Sequence, residues 1–230
     1  MLFVAADARE FGGLLPLCES VEKLKWPLDW ARQAKLNGRT VYLTANGAGP
    51  NRAATAVERA RAELGDMEAV VSTGFCGGLD PSFKIGDVFV ATDILTRGEV
   101  TPVRAPRSSR KFSSGVLVSI DRVAQTAEEK RDLCSSGASA VDMEAAGVLS
   151  RVREWELPFY CIRSVTDLAH ESFHIDLNAT RTADGRFSTS RILAAAIMRP
   201  MTIAPELITL RSRSAKAAKA LGEFIADCSF

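Results

Sequence analysis

Short apolar runs alternate with amphipathic stretches along the chain. LFVAA (2–6) has the length and composition of a buried strand, and RTVYLTANGAG (39–49) is a strand running into a glycine turn. PNRAATAVERARAELG (50–65) predicts a helix: Ala and Arg dominate, Pro50 stands near its start and Gly65 closes it. AVVSTGFCGGLD (69–80) is a strand ending in a glycine-rich bend, and GDVFVATDILT (86–96) is a further strand. DMEAAGVLSRVREWE (142–156) reads as an amphipathic helix with Asp142 as N-cap, followed after Pro158 by the strand FYCIRSV (159–165). Strands alternating with helices predict an α/β fold. RGEVTPVRAPRSSRKFSSG (97–115), rich in Arg, Ser and Pro, reads as a surface excursion or mobile loop.

Composition narrows the function classes. The 230 residues are 47% hydrophobic and 25% charged, enough for a substantial core, and residues 1–230 are expected to form one domain. Lys+Arg 29 against Asp+Glu 28 gives a net charge of +1 without any like-charge block, so no nucleic-acid partner is expected. ILAAAIM (192–198) is far short of a membrane span, and Asp7 and Arg9 come too early for a signal peptide. The expectation is a cytoplasmic protein with no membrane span, for which peripheral membrane contact stays open. Cys18, Cys76, Cys134, Cys161 and Cys228 are odd in number and lack any C-x-x-C, so they read as buried free thiols.

HESFH (170–174) fits H-E-x-x-H, the zinc-hydrolase pattern, and holds both histidines of the chain. That chemistry needs the string inside a helix, with a third ligand further on. Here a buried strand and the turn TDLA precede it, and IDLNATRTADG, with loop-forming Asn, Thr, Asp and Gly, follows. The alternative is a solvated or hydrogen-bonding pair, His170 and His174, on a loop beside a pocket. No metal and no cofactor are expected.

AVDMEAAGVLSRVREWELPFYCIRSVTDLA (140–169) carries a Met-Glu pair opening a helix, then a strand, then Arg-x-x-Ser/Thr-Asp. With VVSTGFCGGLDPSFKIGDVFVATDI (70–94), TANGAGPNRAATAVE (44–58) and VAADAREF (4–11), in that family's order, it resembles the purine nucleoside phosphorylase and nucleosidase superfamily. The resemblance implies a phosphorylase/hydrolase-like fold with a central mixed β-sheet flanked by helices. It also implies cleavage of an N-ribosidic bond, small-molecule nucleoside substrates, and a homo-oligomer.

Such cleavage passes through an oxocarbenium-like transition state, and the purine leaves poorly unless protonated. The resemblance places Asp167 as the general acid. Glu144 would grip the ribose hydroxyls, with Met143 packed beneath the sugar, and Gly47, Gly74, Phe75 and Thr166 would complete the substrate site. Phosphorylases of the superfamily carry an arginine before the glycine bend; Thr73 stands there in this chain. In the nucleosidase branch a glutamate near the end of the first strand orients water, and Glu10 occupies that position. Hydrolysis is therefore expected, with phosphorolysis as the alternative if Arg9 or an arginine of 97–110 binds phosphate. Phe75 stands where methylthioadenosine nucleosidases carry a small polar residue, and the 115–142 segment is shorter than theirs, so their substrate does not transfer. The tail, 185–227, is similar to that of the hopanoid-associated nucleosidases, implying an adenosine-type nucleoside with a bulky apolar 5′ group such as adenosyl-hopane. Read without the resemblance, the tail is a set of amphipathic helices that packs on the core or on another subunit.

Overall fold

The computed structural model describes residues 1–182 and 186–230. The expected loop at 183–185, and with it the first residue of the tail, Gly185, lies outside the described residues. In chain order the strands are β1 (Leu2–Ala5), β2 (Ser20–Lys23), β3 (Trp30–Leu36), β4 (Arg39–Ala45), β5 (Val70–Gly78), β6 (Val88–Thr96), β7 (Glu99–Pro102), β8 (Ser113–Ser119), β9 (Ala138–Asp142) and β10 (Phe159–Asp167). The helices are α1 (Pro50–Leu64), α2 (Ala127–Ser135), α3 (Ala145–Glu154), α4 (Leu177–Thr180), α5 (Thr189–Met198) and α6 (Pro200–Asp227).

All ten strands join one mixed sheet. β5 is its hub, parallel to β1 and β10 and antiparallel to β9. Five strands therefore close on themselves in the order β5, β9, β8, β6, β10, while β1, β4, β3 and β2 extend from β5 as an open wing. Both faces of the central strands are covered, so they read as continuous apolar runs without alternation. Yet the period of two persists: Leu2 and Val4 pack with Ala53, Val57 and Val148 of α1 and α3, whereas Phe3 and Ala5 pack with Leu221, Phe224 and Ile225 of α6. Gly147 lets α1 and α3 touch backbone to backbone; a Cβ there would fall 2.0 Å from the Pro50 carbonyl oxygen.

Three segments differ from the sequence expectation. The helix after the Met-Glu pair starts at Ala145, because Asp142 is the last residue of β9 and its carboxylate is held elsewhere; Asp142 Oδ2 still accepts from the Ala145 amide at 2.9 Å. The 97–115 stretch is not a free loop. It forms β7 on the β6 edge and opens β8, and Ser108 and Ser109 bond the Asp227 carboxylate at 2.7 to 3.0 Å. The HESFH string is not helical, so its histidines do not share a helix face.

The tail divides into two parts. The C-terminal half of α6 is core, with Ala217, Ala218, Leu221 and Phe224 buried, and Gly222 lies against Gly13, where a Cβ would meet backbone at 2.1 Å. Leu193, Ile197, Met198, Met201 and Ile208, around the α5–α6 corner, are exposed. No helix of the described residues is long and apolar enough to cross a membrane.

Candidate active site

Two buried carboxylates, Glu10 and Asp167, press on the C-terminal half of β5, and a third, Glu144, faces the glycine turn after β4. Glu10 sits on a single 3-10 turn, Ala8–Phe11, started by an Asp7 capping box and clamped from behind by the Gly13–α6 contact. Its Oε2 accepts from the amides of Ala6 (2.8 Å) and Asp7 (3.0 Å), and its Oε1 from the amide of Phe75 (3.0 Å). A carboxylate offers about four acceptor positions, so one remains on Oε1 for a water or a substrate hydroxyl. Burial lifts the Glu10 pKa, and the three amides with the nearby Arg163 guanidinium oppose that rise. The contact also explains the glycine opposite. Gly74 has φ +140°, and a Cβ there would lie 2.7 Å from Glu10 Oε1.

Glu144, between β9 and α3, points at the glycine turn that follows β4. Its Oε1 accepts from the Gly49 amide at 2.8 Å, and Gly47 and Gly49 hold φ of +94° and +100°. Behind it Asp142 takes both Nε and Nη2 of the fully buried Arg163, whose Nη2 also donates to Ser72 at 2.7 Å. Burial first, then the charges of Asp142 and Glu10, raise Glu144 to about 8; Arg163 and the Gly49 amide pull the other way. Glu144 is therefore not a permanently ionised acceptor near neutrality. Folded protein holds this proton between pH 4.5 and about 8 while the unfolded chain sheds it, so stability should fall as pH rises through that window. Its share of the slope is at most about 1.4 kcal/mol per pH unit. Urea unfolding of Glu144→Gln at the two ends of the window should show a smaller decline than wild type; equal declines would contradict this titration.

Asp167 ends β10 two residues beyond the expected strand. Its Oδ2 is 2.5 Å from the Lys130 ammonium and its Oδ1 lies 3.2 Å from the Thr166 hydroxyl. Burial raises its pKa and Lys130 opposes the rise. Gly77 makes room, since a Cβ there would come within 2.9 Å of Oδ2. Gly74 and Gly77 of TGFCGG are thus where two carboxylates press against one strand. Met143, Phe75 and Thr166 are half-buried, and Thr73 is buried and uncharged in β5.

The cations proposed for phosphate lie elsewhere or are engaged. Arg9 is exposed and pairs with Asp7 at 2.7 Å. β6 runs antiparallel to β10, so its end, with Arg97 and Arg104, lies toward the start of β10, where the Arg104 amide bonds Phe159; further on, the Arg107 amide bonds Ser229, and the Arg110 side chain pairs with Glu223. Sequence reading missed Arg52 and Arg181, which flank Gly47 and Gly49; Arg52 pairs with Asp29 and Arg181 with Asp121. Lys130 was missed as well. In the HESFH string, His174 is exposed 3.4 Å from Glu206 and His170 is exposed. Glu171, which a zinc mechanism would need as base, is bound by Arg213 at 2.7 and 2.8 Å. Among the described residues no group of three or more metal-ligating His, Cys, Asp or Glu side chains is gathered.

The mixed sheet closed on β5, with its carboxylates at the strand ends, defines the class: the chain belongs to the Phosphorylase superfamily, whose family pattern matches residues 31–119 and 103–198. Within it, a 5′-methylthioadenosine/S-adenosylhomocysteine nucleosidase of Glaesserella parasuis is 22% identical over 191 residues, which cover 70% of this chain and 83% of that protein. A crystal structure of the Helicobacter pylori protein of that name, complexed with a substituted pyrrolidin-3-ol, superposes with a TM-score of 0.71 at 16% identity, covering 97% of this chain and 94% of the other. The futalosine hydrolase of H. pylori superposes at 0.70 with 17% identity, covering 97% and 94%.

Proposed function

We propose that this protein is a purine nucleosidase that hydrolyses the N-ribosidic bond of an adenosine-type nucleoside. The observation that carries it is that two unlike buried carboxylates lie against one strand, β5: Glu10, fixed by three amides with one acceptor position left, and Asp167, at the end of β10. Glu10 orients the water and takes its proton, and Asp167 protonates the departing purine. Glu144 binds the ribose hydroxyls, Met143 packs below the sugar, and Gly47, Gly74, Phe75 and Thr166 line the substrate. The nucleosidases among its relatives support this reading.

Charge favours water over phosphate. Glu10, Asp142 and Glu144 surround one guanidinium, Arg163, whose donors already go to Asp142, Ser72 and the Ile162 carbonyl, so it is not free to hold a phosphate dianion. Arg52 and Arg181 give the phosphorylase alternative its observation, but each is held by an aspartate.

A bulky apolar 5′ group, such as that of adenosyl-hopane, finds support in a groove of about 960 Å³ lined by Pro16, Leu17, Leu207 and Leu210, between the Glu10 turn and α6. The exposed α5–α6 corner suits a homo-oligomer contact or peripheral membrane contact of a cytoplasmic, single-domain protein. Adenine release should be measured for adenosine, 5′-methylthioadenosine and 5′-alkyl adenosines of increasing chain length. The wild type should prefer the long alkyl groups, and Leu210→Asp should lose that preference while keeping the small substrates. Release from none of them would overturn the nucleosidase reading. Equal use of all chain lengths would overturn the apolar 5′ group alone.

A further inference from the structure

Arg163 and Lys130 are fully buried cations among the described residues. Arg163 is bound by Asp142, but Lys130 comes from a different element and meets a different carboxylate. It lies in the first turn of α2, fixed by the Thr126–Glu129 capping box. Its Nζ is 2.5 Å from Asp167 Oδ2, donates to the Leu168 carbonyl at 2.9 Å, and lies 5.2 Å from the centre of the Phe173 ring. All three partners lie at the end of β10 or just beyond it. The contact holds one oxygen of Asp167 and leaves Oδ1, beside the Thr166 hydroxyl, as the oxygen that can serve a substrate.

A buried acid that gives up its proton leaves a carboxylate with little solvent to stabilise it. A fixed ammonium at contact distance stabilises that charge without rearrangement. We infer that Lys130 is a positioning residue for proton delivery: its ammonium orients Asp167 and stabilises the carboxylate formed when Oδ1 passes its proton to the departing purine. The inference rests on the role proposed above for Asp167. The step balances within the site. The C1′–N bond breaks with its electron pair going to the base, which gains the Asp167 proton. Water adds to C1′ and yields a proton to Glu10, and exchange with solvent then restores both carboxyl groups.

Other titratable groups around Asp167 are Cys76 on β5, Glu171 beyond β10, and Arg213 of α6, which Glu171 already pairs. Loss of Lys130 leaves none of these as a contact cation for Oδ2. Asp167 should then hold its proton to higher pH and release it less readily.

The test uses the full chain with 5′-methylthioadenosine, or with whichever nucleoside of the panel the wild type hydrolyses best. Lys130→Met should lower kcat about tenfold or more, with KM changed by less than about twofold. The alkaline limb of kcat/KM should move up by about one pH unit or more. In an Asp167→Asn background the same substitution should cost little further activity. If the Met variant does not fold, Lys130→Gln, which keeps a donor for the Leu168 carbonyl, is read in the same way. A slower variant with an unmoved alkaline limb, or losses that simply multiply with those of Asp167→Asn, would overturn the role of Lys130. A wild type that hydrolyses no nucleoside would instead overturn the proposed function.

Discussion

Asp167→Asn lowers turnover of purine nucleosides by about 10² or more, the lower end of what a positioned general acid contributes. Asn keeps the shape and can donate a hydrogen bond, but it cannot deliver a proton. A nitrophenyl riboside, whose leaving group departs without protonation, should lose far less. The geometry adds a requirement that the sequence did not suggest. With the carboxylate gone, Lys130 is left buried without a counter-charge, and breaking a buried pair in this way costs about 3–5 kcal/mol. The variant should therefore unfold at lower urea, and kinetics should be compared where it is folded. Equal slowing of both substrate types in folded protein would make Asp167 a shaper of the pocket and not its acid.

Glu10→Gln has the second large effect, a loss of turnover on the order of 10²–10⁴. Gln cannot take up the proton of the attacking water. It also fits poorly, since Oε1 faces the Phe75 amide and Oε2 faces those of Ala6 and Asp7. Whichever way the amide turns, its NH₂ opposes at least one N–H, at a cost of about 1–3 kcal/mol. Binding of a non-hydrolysable nucleoside analogue, measured by calorimetry, should survive better than turnover. A folded variant with full activity would remove Glu10 from the mechanism.

What the sequence made legible was governed by local pattern. β1, β5 and β10 are buried on both faces and read directly as apolar runs, and Pro50 and Gly65 bracket α1 as expected. The exposed strand β2, SVEK, has no apolar alternation to betray it, and it exists because β3 pairs with it. The extra order in 97–115 comes from pairing with β6 and from Asp227, 118 residues from Ser109 along the chain. Glu10, Glu144 and Asp167 are candidates through family motifs, and the structure buries all three. Asp142 still accepts from the first helical amide, Ala145, but its ion pair with Arg163, on another strand, lies where no spacing rule reaches. Lys130 was the accessible omission. Thr-Ala-Glu-Glu at 126–129 is a capping-box signature that announces α2, and a lysine in its first turn is where the helix dipole disfavours a cation, so its placement asked for a buried acidic partner.

The most direct measurement is the identity of the sugar released from an adenosine-type nucleoside, followed by NMR with and without inorganic phosphate. Water held by Glu10 predicts free adenine and a free ribose derivative, formed at the same rate in both conditions. A ribose 1-phosphate derivative that forms only when phosphate is present would contradict the account and return Arg52 and Arg181 to the centre of the site.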